Sequence, residues 1–143
     1  MLIRKFEDKD RKQVTNLIGK ILYEIFKVKP KRVELDKGLF KKEGILYVVE
    51  NKGKIIGTAG IRKHRGKAAR LKKMYIENSY RRIGLSQKLY NRLQSFAKKK
   101  RYQKIMLSTT PQMKAAIKFY EKQGFVEYRA NKRTNQIFFH KNL

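Results

Sequence analysis

The chain has 143 residues, 41% of them hydrophobic, no cysteine, and 38 Lys and Arg against 11 Asp and Glu, a formal net charge of +27. That length buries a core without staples, the hydrophobic share argues against disorder, and the lack of cysteine excludes disulfides, thiolate metal sites and cysteine nucleophiles. No apolar run reaches membrane-spanning length and no signal-peptide pattern opens the sequence, so a cytoplasmic protein with no membrane partner is expected, and its positive field suits polyphosphates, nucleic acid or acidic partners.

Met1 to Phe6 reads as a first strand with Leu2 and Phe6 on one face. Glu7, Asp8 and Asp10 stand at the start of a helix, where the dipole favours acids. Val14, Leu17, Ile18, Ile21, Leu22, Ile25 and Phe26 recur at helical spacing, and the helix ends before Pro30. Lys27 to Arg32 is a basic loop, followed by a weak helical stretch around Val33 to Lys41. Gly44 to Glu50 is a strand, Asn51-Lys52-Gly53 a turn, and Lys54 to Lys63 the returning strand. Gly57, Ala59 and Gly60 within it mark a bulge or a close backbone approach. His64 to Lys67 is a second turn, and Ala68 to Ile76 the third strand of the meander.

The most informative stretch runs from Lys72 to Leu89. A strand ends at Ile76, and Leu85, Leu89, Leu93 and Phe96 form the apolar stripe of a helix from about Ile83 to Lys100. Between them lies Arg81-x-x-Gly84-x-Ser86. Small residues there let an outside group approach the backbone, the free N–H groups of a starting helix favour negative charge, and two arginines add donors suited to phosphate. This is the chemistry of a pyrophosphate cradle; the plainer alternative is a loop with two solvated arginines. Lys98 to Arg101 complements the dipole at the helix C-terminus rather than forming a nucleic-acid patch. Lys104 to Thr109 is a strand that completes a βαβ crossover, parallel to the third. Thr110 as N-cap and Pro111 at the first helical position open a helix that carries Met113, Ala116, Ile117 and Tyr120 and stops at Gly124. Phe125 to Tyr128, a basic turn over Arg129 to Asn135, and Gln136 to His140 form a closing hairpin.

In this order of elements the chain resembles, over nearly its whole length, the GNAT superfamily of acyl-CoA-dependent N-acetyltransferases. Arg81-Arg82-Ile83-Gly84-Leu85-Ser86 is similar to the superfamily's Q/R-x-x-G-x-G/A signature. Ala116 to Phe125 is similar to its second signature, a helix ending in Y-E-K-x-G-F. The resemblance implies one α/β (α+β) domain over residues 1–143. Its mixed, mostly antiparallel sheet has about six or seven strands, with helices on both faces and a splay between the strands at 71–76 and 104–109.

The implied activity is transfer of an acetyl group from acetyl-CoA, as co-substrate, to an amine by direct attack, with no metal. The pantetheine arm then pairs with the backbone of Met74, Tyr75 and Ile76, one of whose N–H groups polarises the acyl carbonyl. The pyrophosphate meets the amides of Arg82, Ile83, Gly84, Leu85 and Ser86, with Arg81 beside them, and Thr109 and Met113 extend the cofactor-binding set. Tyr120 matches the family's general acid for the leaving thiolate, although its spacing equally fits a core tyrosine.

Three positions depart from the family pattern. Ser86 replaces glycine or alanine, Met113 stands in place of a cofactor-binding asparagine, and Arg70 occupies the place of a glutamate that can serve as base. The base is therefore open among His64, His140, Glu50, Glu77 and a water chain. Arg62, Lys63, Arg65, Lys67, Arg70, Lys72 and Lys73 are expected beside the cleft and would repel a free cationic amine, so an acceptor that is anionic overall is expected. Two alternatives stand beside the enzyme. One is a nucleic-acid-associated module using Tyr75, Tyr80, Tyr102 and Tyr128 amid the basic surface. The other is an acyl-CoA-binding scaffold without turnover. Monomer and homodimer are both open.

Overall fold

Alternating apolar residues place seven strands in one sheet in the computed structural model, which describes residues 1–143. They are β1 (Leu2–Lys5), β2 (Ile45–Asn51), β3 (Lys54–Arg65), β4 (Ala68–Ile76), β5 (Lys104–Thr109), β6 (Val126–Asn131) and β7 (Gln136–Asn142). Their order across the sheet is β1-β2-β3-β4-β5-β7-β6. Every neighbouring pair is antiparallel except β4 and β5, which the crossover makes parallel. Three helices cover the sheet: α1 (Arg11–Phe26), α2 (Leu85–Lys99) and α3 (Lys114–Lys122). None is long and apolar enough to cross a membrane.

The period of two along each strand decides which helix meets which residue. Val48 and Ile55 face α1 and pack with Val14, Leu17, Ile18 and Ile21. Their neighbours Tyr47, Val49 and Ile56 face the other way. On that side they join Leu71, Ile105 and Leu107 against Leu85, Leu89, Tyr90 and Leu93 of α2 and Tyr120 of α3. The expected mixed α/β sandwich, with helices on both faces, is what the structure shows.

Several local expectations are corrected. The helical stretch at Val33 to Lys41 shrinks to a single 3-10 turn at Lys37–Phe40. Lys27, left-handed at φ 59°, ends α1, and the connector that follows carries one fully buried apolar anchor, Leu39. His64 and Arg65 belong to β3 rather than to a turn. Thr110 does not cap α3: its carbonyl accepts from Met113 N–H at 3.0 Å, closing a turn, and α3 starts at Lys114. The last hairpin runs longer than expected, and β7 inserts between β5 and β6.

One polar cluster ties the first elements together. Arg4 donates two hydrogen bonds to the buried Asp10 carboxylate, at 2.8 and 2.9 Å, and two to Glu50, at 2.9 and 3.3 Å. The Arg4 guanidinium outweighs burial and holds the Asp10 carboxyl below its ordinary value. A depressed folded pKa contributes stability above the unfolded value, and that stability is lost as pH falls below about 4. Asp10→Asn should therefore lower unfolding free energy by about 3 kcal/mol at neutral pH. In denaturant titrations the variant should also lose less stability than the parent between about pH 4 and 2.

Candidate functional site

β4 and β5 share three residue pairs, Ala68–Lys104, Ala69–Ile105 and Arg70–Met106, and then part. β5 stays with β7 as far as Thr109–Ile137, and β4 stays with β3 as far as Ile76–Gly57. From Leu71 and Leu107 onward the facing edges of β4 and β5 have no strand between them. The expected splay is present, and it begins at Leu107 on β5 because Lys104 to Met106 are paired. A bulge accompanies the parting. Lys72 and Tyr75 pair with Gly60 and Thr58, so β4 advances three residues where β3 advances two. Lys73 takes a left-handed φ of 56° inside the bulge, which bends the strand locally. Gly60 itself answers a close approach: a Cβ there would sit 2.7 Å from a Leu39 methyl group.

The mouth of the splay is the turn into α2. A 3-10 turn at Asn78–Tyr80 leads to Arg82 (φ 65°) and Gly84 (φ 85°), both left-handed, and then to Leu85. None of the backbone N–H groups from Arg82 to Gln87 donates to another protein group. A Cβ at Gly84 would meet nothing within 4 Å, so the row of amides is open to an approaching anion. Arg81 is partly committed to the turn: its Nε donates to the Ile76 carbonyl at 2.9 Å and one Nη to Asn78 at 3.3 Å. Arg82 and Ile83 are exposed, Ser86 is half-buried, and Leu85 is buried, leaving only its backbone to the mouth.

Glu77 holds the head of this turn. Lys20 of α1 and Lys54 of β3 each donate to its Oε1 at 3.2 Å. Burial opposes the charge, but the two ammonium groups prevail and hold the carboxyl below its ordinary value.

The walls of the splay carry the expected side chains. Met74 is half-buried against the larger core, Tyr75 against the α1 cluster, and Ile76 is buried. On the opposite wall the buried Thr109 hydroxyl, like that of Thr110 beside it, has no hydrogen-bond partner. Met113 is half-buried at the N-terminus of α3. Tyr120 is 6% exposed, with Phe119 and Phe125 each edge-on at 5.8 Å. Its hydroxyl has no protein partner and is not sealed from solvent. Burial, and then the neighbouring Tyr75, raise its pKa well above the ordinary phenol value.

The candidate bases stand elsewhere or are engaged. Glu50 binds Arg4 at the far side of the sheet, and Glu77 is held by lysines. His64 lies toward the closed end of the β3–β4 ladder. Partial burial, then Arg70, Arg62 and Arg65, push its imidazole below the ordinary value. His140 lies on β7 opposite Met106, with a buried Nδ1 that has no partner.

Of the cations expected beside the cleft, Lys63 pairs with Glu43 at 3.5 Å, and Arg65 and Lys67 flank the β3–β4 hairpin. Asp36 was not anticipated. This acid of the connector reaches Arg62 at 3.1 Å and Lys72 at 3.4 Å, and its only signal in the sequence was an acid amid lysines. The four tyrosines do not form a stacking platform. Tyr102 is buried and donates to the Glu43 carbonyl at 2.6 Å, Tyr75 and Tyr80 are half-buried, and Tyr128 alone is exposed. No cluster of three or more acidic or histidine groups could hold a metal ion.

The profile of the Acetyltransferase (GNAT) family matches residues 11–125. No curated relative matches the sequence. Among solved structures the chain is similar to an acetyltransferase from Streptococcus agalactiae, with TM-score 0.85 and 22% identity over 99% of this chain and 98% of that one. It is similar to a GNAT-family acetyltransferase from Staphylococcus aureus, with TM-score 0.84 and 21% identity over the same shares. It is also similar to the PaiA N-acetyltransferase from Thermoplasma acidophilum in complex with coenzyme A, with TM-score 0.82 and 16% identity, again over 99% and 98%. At these identities the likeness establishes the fold.

The two left-handed positions of the turn give stability changes of opposite sign. Gly84→Ala should cost about 1 kcal/mol from backbone strain alone, since no atom clashes with the new methyl group. Arg82→Gly relieves the same strain and should raise stability by several tenths of a kcal/mol, less what glycine adds to the unfolded chain's entropy. Thermal unfolding of the two variants checks both signs.

Proposed function

Because the chain belongs to the GNAT acetyltransferase family, we propose that it is an N-acetyltransferase that passes an acetyl group from acetyl-CoA directly to an amine. The observation that carries this reading is the meeting of two unsatisfied backbone surfaces, the open β4 edge along the splay and the free amides at its mouth.

In this reading the amides of Arg82 to Ser86 and the positive end of α2 receive the diphosphate. Met74 to Ile76 offer their unpaired backbone groups to the pantetheine amides, completing a ladder that β5 leaves open. The orphaned hydroxyls of Thr109 and Thr110 find partners on the same ligand. A β4 N–H beside the Lys73 bulge faces the acyl carbonyl and stabilises the charge that develops on its oxygen. The amine nitrogen attacks the carbonyl carbon, the carbon–sulfur bond breaks, and the electron pair leaves on sulfur. Tyr120 donates its phenolic hydrogen to that sulfur, and the phenolate then takes a proton back from solvent. Its raised pKa lies far above a thiol's ordinary value of about 8.5, so the phenol is fully protonated at working pH. The proton of the attacking amine leaves through solvent, helped by cations that lower the amine's own pKa. The same cations favour an acceptor that is anionic overall.

Free-thiol release from acetyl-CoA against an amine panel tests the reading. Tyr120→Phe should lower kcat by about 100-fold with little change in KM for acetyl-CoA. An equal loss of coenzyme A binding would return Tyr120 to a packing role. Since its pKa is raised above 10.0, kcat of the parent should show no alkaline fall from this residue up to about pH 10.

A further inference from the structure

On the α1 face of the sheet the apolar cluster under α1 takes in Val48 of β2, Ile55 of β3 and Tyr75 of β4 but no residue of β5 or β7. Alternation and register bring Arg62, Arg70, Ser108 and Phe138 together there. Arg62 and Arg70 are directly opposite on antiparallel strands, a like-charge pair that works against the sheet. Asp36 relieves Arg62 and Lys72 and is consumed by them. Burial, despite Asp36 and with Arg70 and Lys73 alongside, still pulls the Lys72 ammonium below its ordinary value. Arg70 forms no ion pair. Its Nη2 donates to Ser108 Oγ at 2.7 Å, and its guanidinium carbon lies 5.9 Å from the Phe138 ring centre. Arg129 lies over the same ring at 4.9 Å.

Ser108 sharpens the imbalance. Its Oγ accepts from Arg70 and, at 3.5 Å, from Gln136 Nε2, while its own proton has no acceptor in the protein. One spot on this face thus holds the remaining guanidinium donors and a hydroxyl donor, seated on an aromatic ring, with no acceptor. Such a set is satisfied by a carboxylate or a phosphate, which a guanidinium can grip with two parallel bonds.

We propose that Arg70, Ser108 and the Phe138 ring form an anion-binding end of the acceptor cleft, so that the acceptor is an extended amine bearing a carboxylate or phosphate several bonds from its nitrogen. The amine half of this statement rests on the acetyltransferase reading; the anion half does not. Arg70 is the last β4 residue paired with β5, four residues before Met74. Its guanidinium, however, reaches Ser108, two residues beyond Met106 on the parallel β5 and so level with Lys72; at about 3.3 Å per residue, roughly 7 Å of strand separates the anion's anchor from the acyl position. An α-amino acid, whose carboxylate is one carbon from its nitrogen, is too short to use both.

Calorimetry on the full chain saturated with coenzyme A tests the site without turnover. The probes are 6-aminohexanoate, its carboxamide, an aminoalkylphosphonate of equal length, and glycine. Both long anions, or one of them, should bind about tenfold or more tighter than the carboxamide, and which one does so identifies the anion as carboxylate or phosphate. Arg70→Gln should bring the ratio to near one, and Ser108→Ala should remove a smaller part of it. Arg70→Lys, which keeps the charge without the fork, should fall between, and it serves if the glutamine variant does not fold. Glycine should show no dependence on Arg70. Equal binding of anions and carboxamide by the parent, or an undiminished preference in Arg70→Gln, overturns the proposal. Absence of thiol release with every amine, alongside an intact anion preference, would instead overturn the acetyltransferase reading.

Discussion

Two parallel strands that pair for three residues and then separate leave a line of amide and carbonyl groups with nothing to bond. Backbone groups inside a fold are almost always satisfied, so this deficit has to be met by water or by a ligand of extended, amide-bearing shape. The fold maintains the deficit rather than healing it. β5 is fixed along its other edge by β7, and β4 along its other edge by β3, so neither strand can swing across. The bulge at Lys73 then bends β4 just past its last residue paired with β5. Of the six non-glycine residues in left-handed conformation, two, Lys73 and Arg82, stand with Gly84 at the bulge and the mouth of the splay, while the other four close turns or end helices elsewhere.

The eleven acids of this strongly basic chain are spent with some economy. Asp10 and Glu50 are committed to Arg4 at one edge of the sheet, Glu77 to Lys20 and Lys54 at the head of the turn, and Asp36 to Arg62 and Lys72 over β3 and β4. Glu77 and Asp36 each secure two cations from different elements that would otherwise repel one another. What remains without an acidic partner is informative by position. Arg82 stands beside the free amides, and Arg70 stands where the splay begins. Most of the 38 Lys and Arg lack an acidic partner too, so it is their place along the splay that sets these two apart.

Strongly patterned elements were legible because local and tertiary preferences agree. Ala68 to Ile76 and Lys104 to Thr109 appear with the bounds read from their apolar runs, and Gly124 is left-handed at φ 98° after α3, as a helix stop requires. The turn from β4 into α2 was legible for the same reason, since Gly84 and the apolar stripe that begins at Leu85 mark a strand–helix junction. Other features depended on partners distant in sequence. The connector's shape follows from Leu39 burying beneath β3 and from Asp36 meeting two cations, neither of which a window of neighbouring residues reveals. Thr110-Pro111 has the composition of a helix start, yet the turn to Met113 forms first. The left-handed Lys73 carries no composition signal at all, because a bulge on one strand is set by the register of its partner.

Replacing an expected carboxylate base with Arg70 raises a question about proton removal that the electrostatics answer. A cationic wall lowers the pKa of an amine held against it, making the neutral nucleophile more abundant without a base. An anion on the acceptor would undo that gain if it lay close to the nitrogen. Separated by roughly 7 Å, two unit charges interact by about 0.6 kcal/mol in a water-like dielectric, and salt with a screening length of about 8–10 Å removes part of this. An anion gripped by Arg70 is moreover neutralised where it sits. On the proposed reading, separation along one strand would let a single basic face do both: hold the acceptor by its acid, and keep its amine ready to attack.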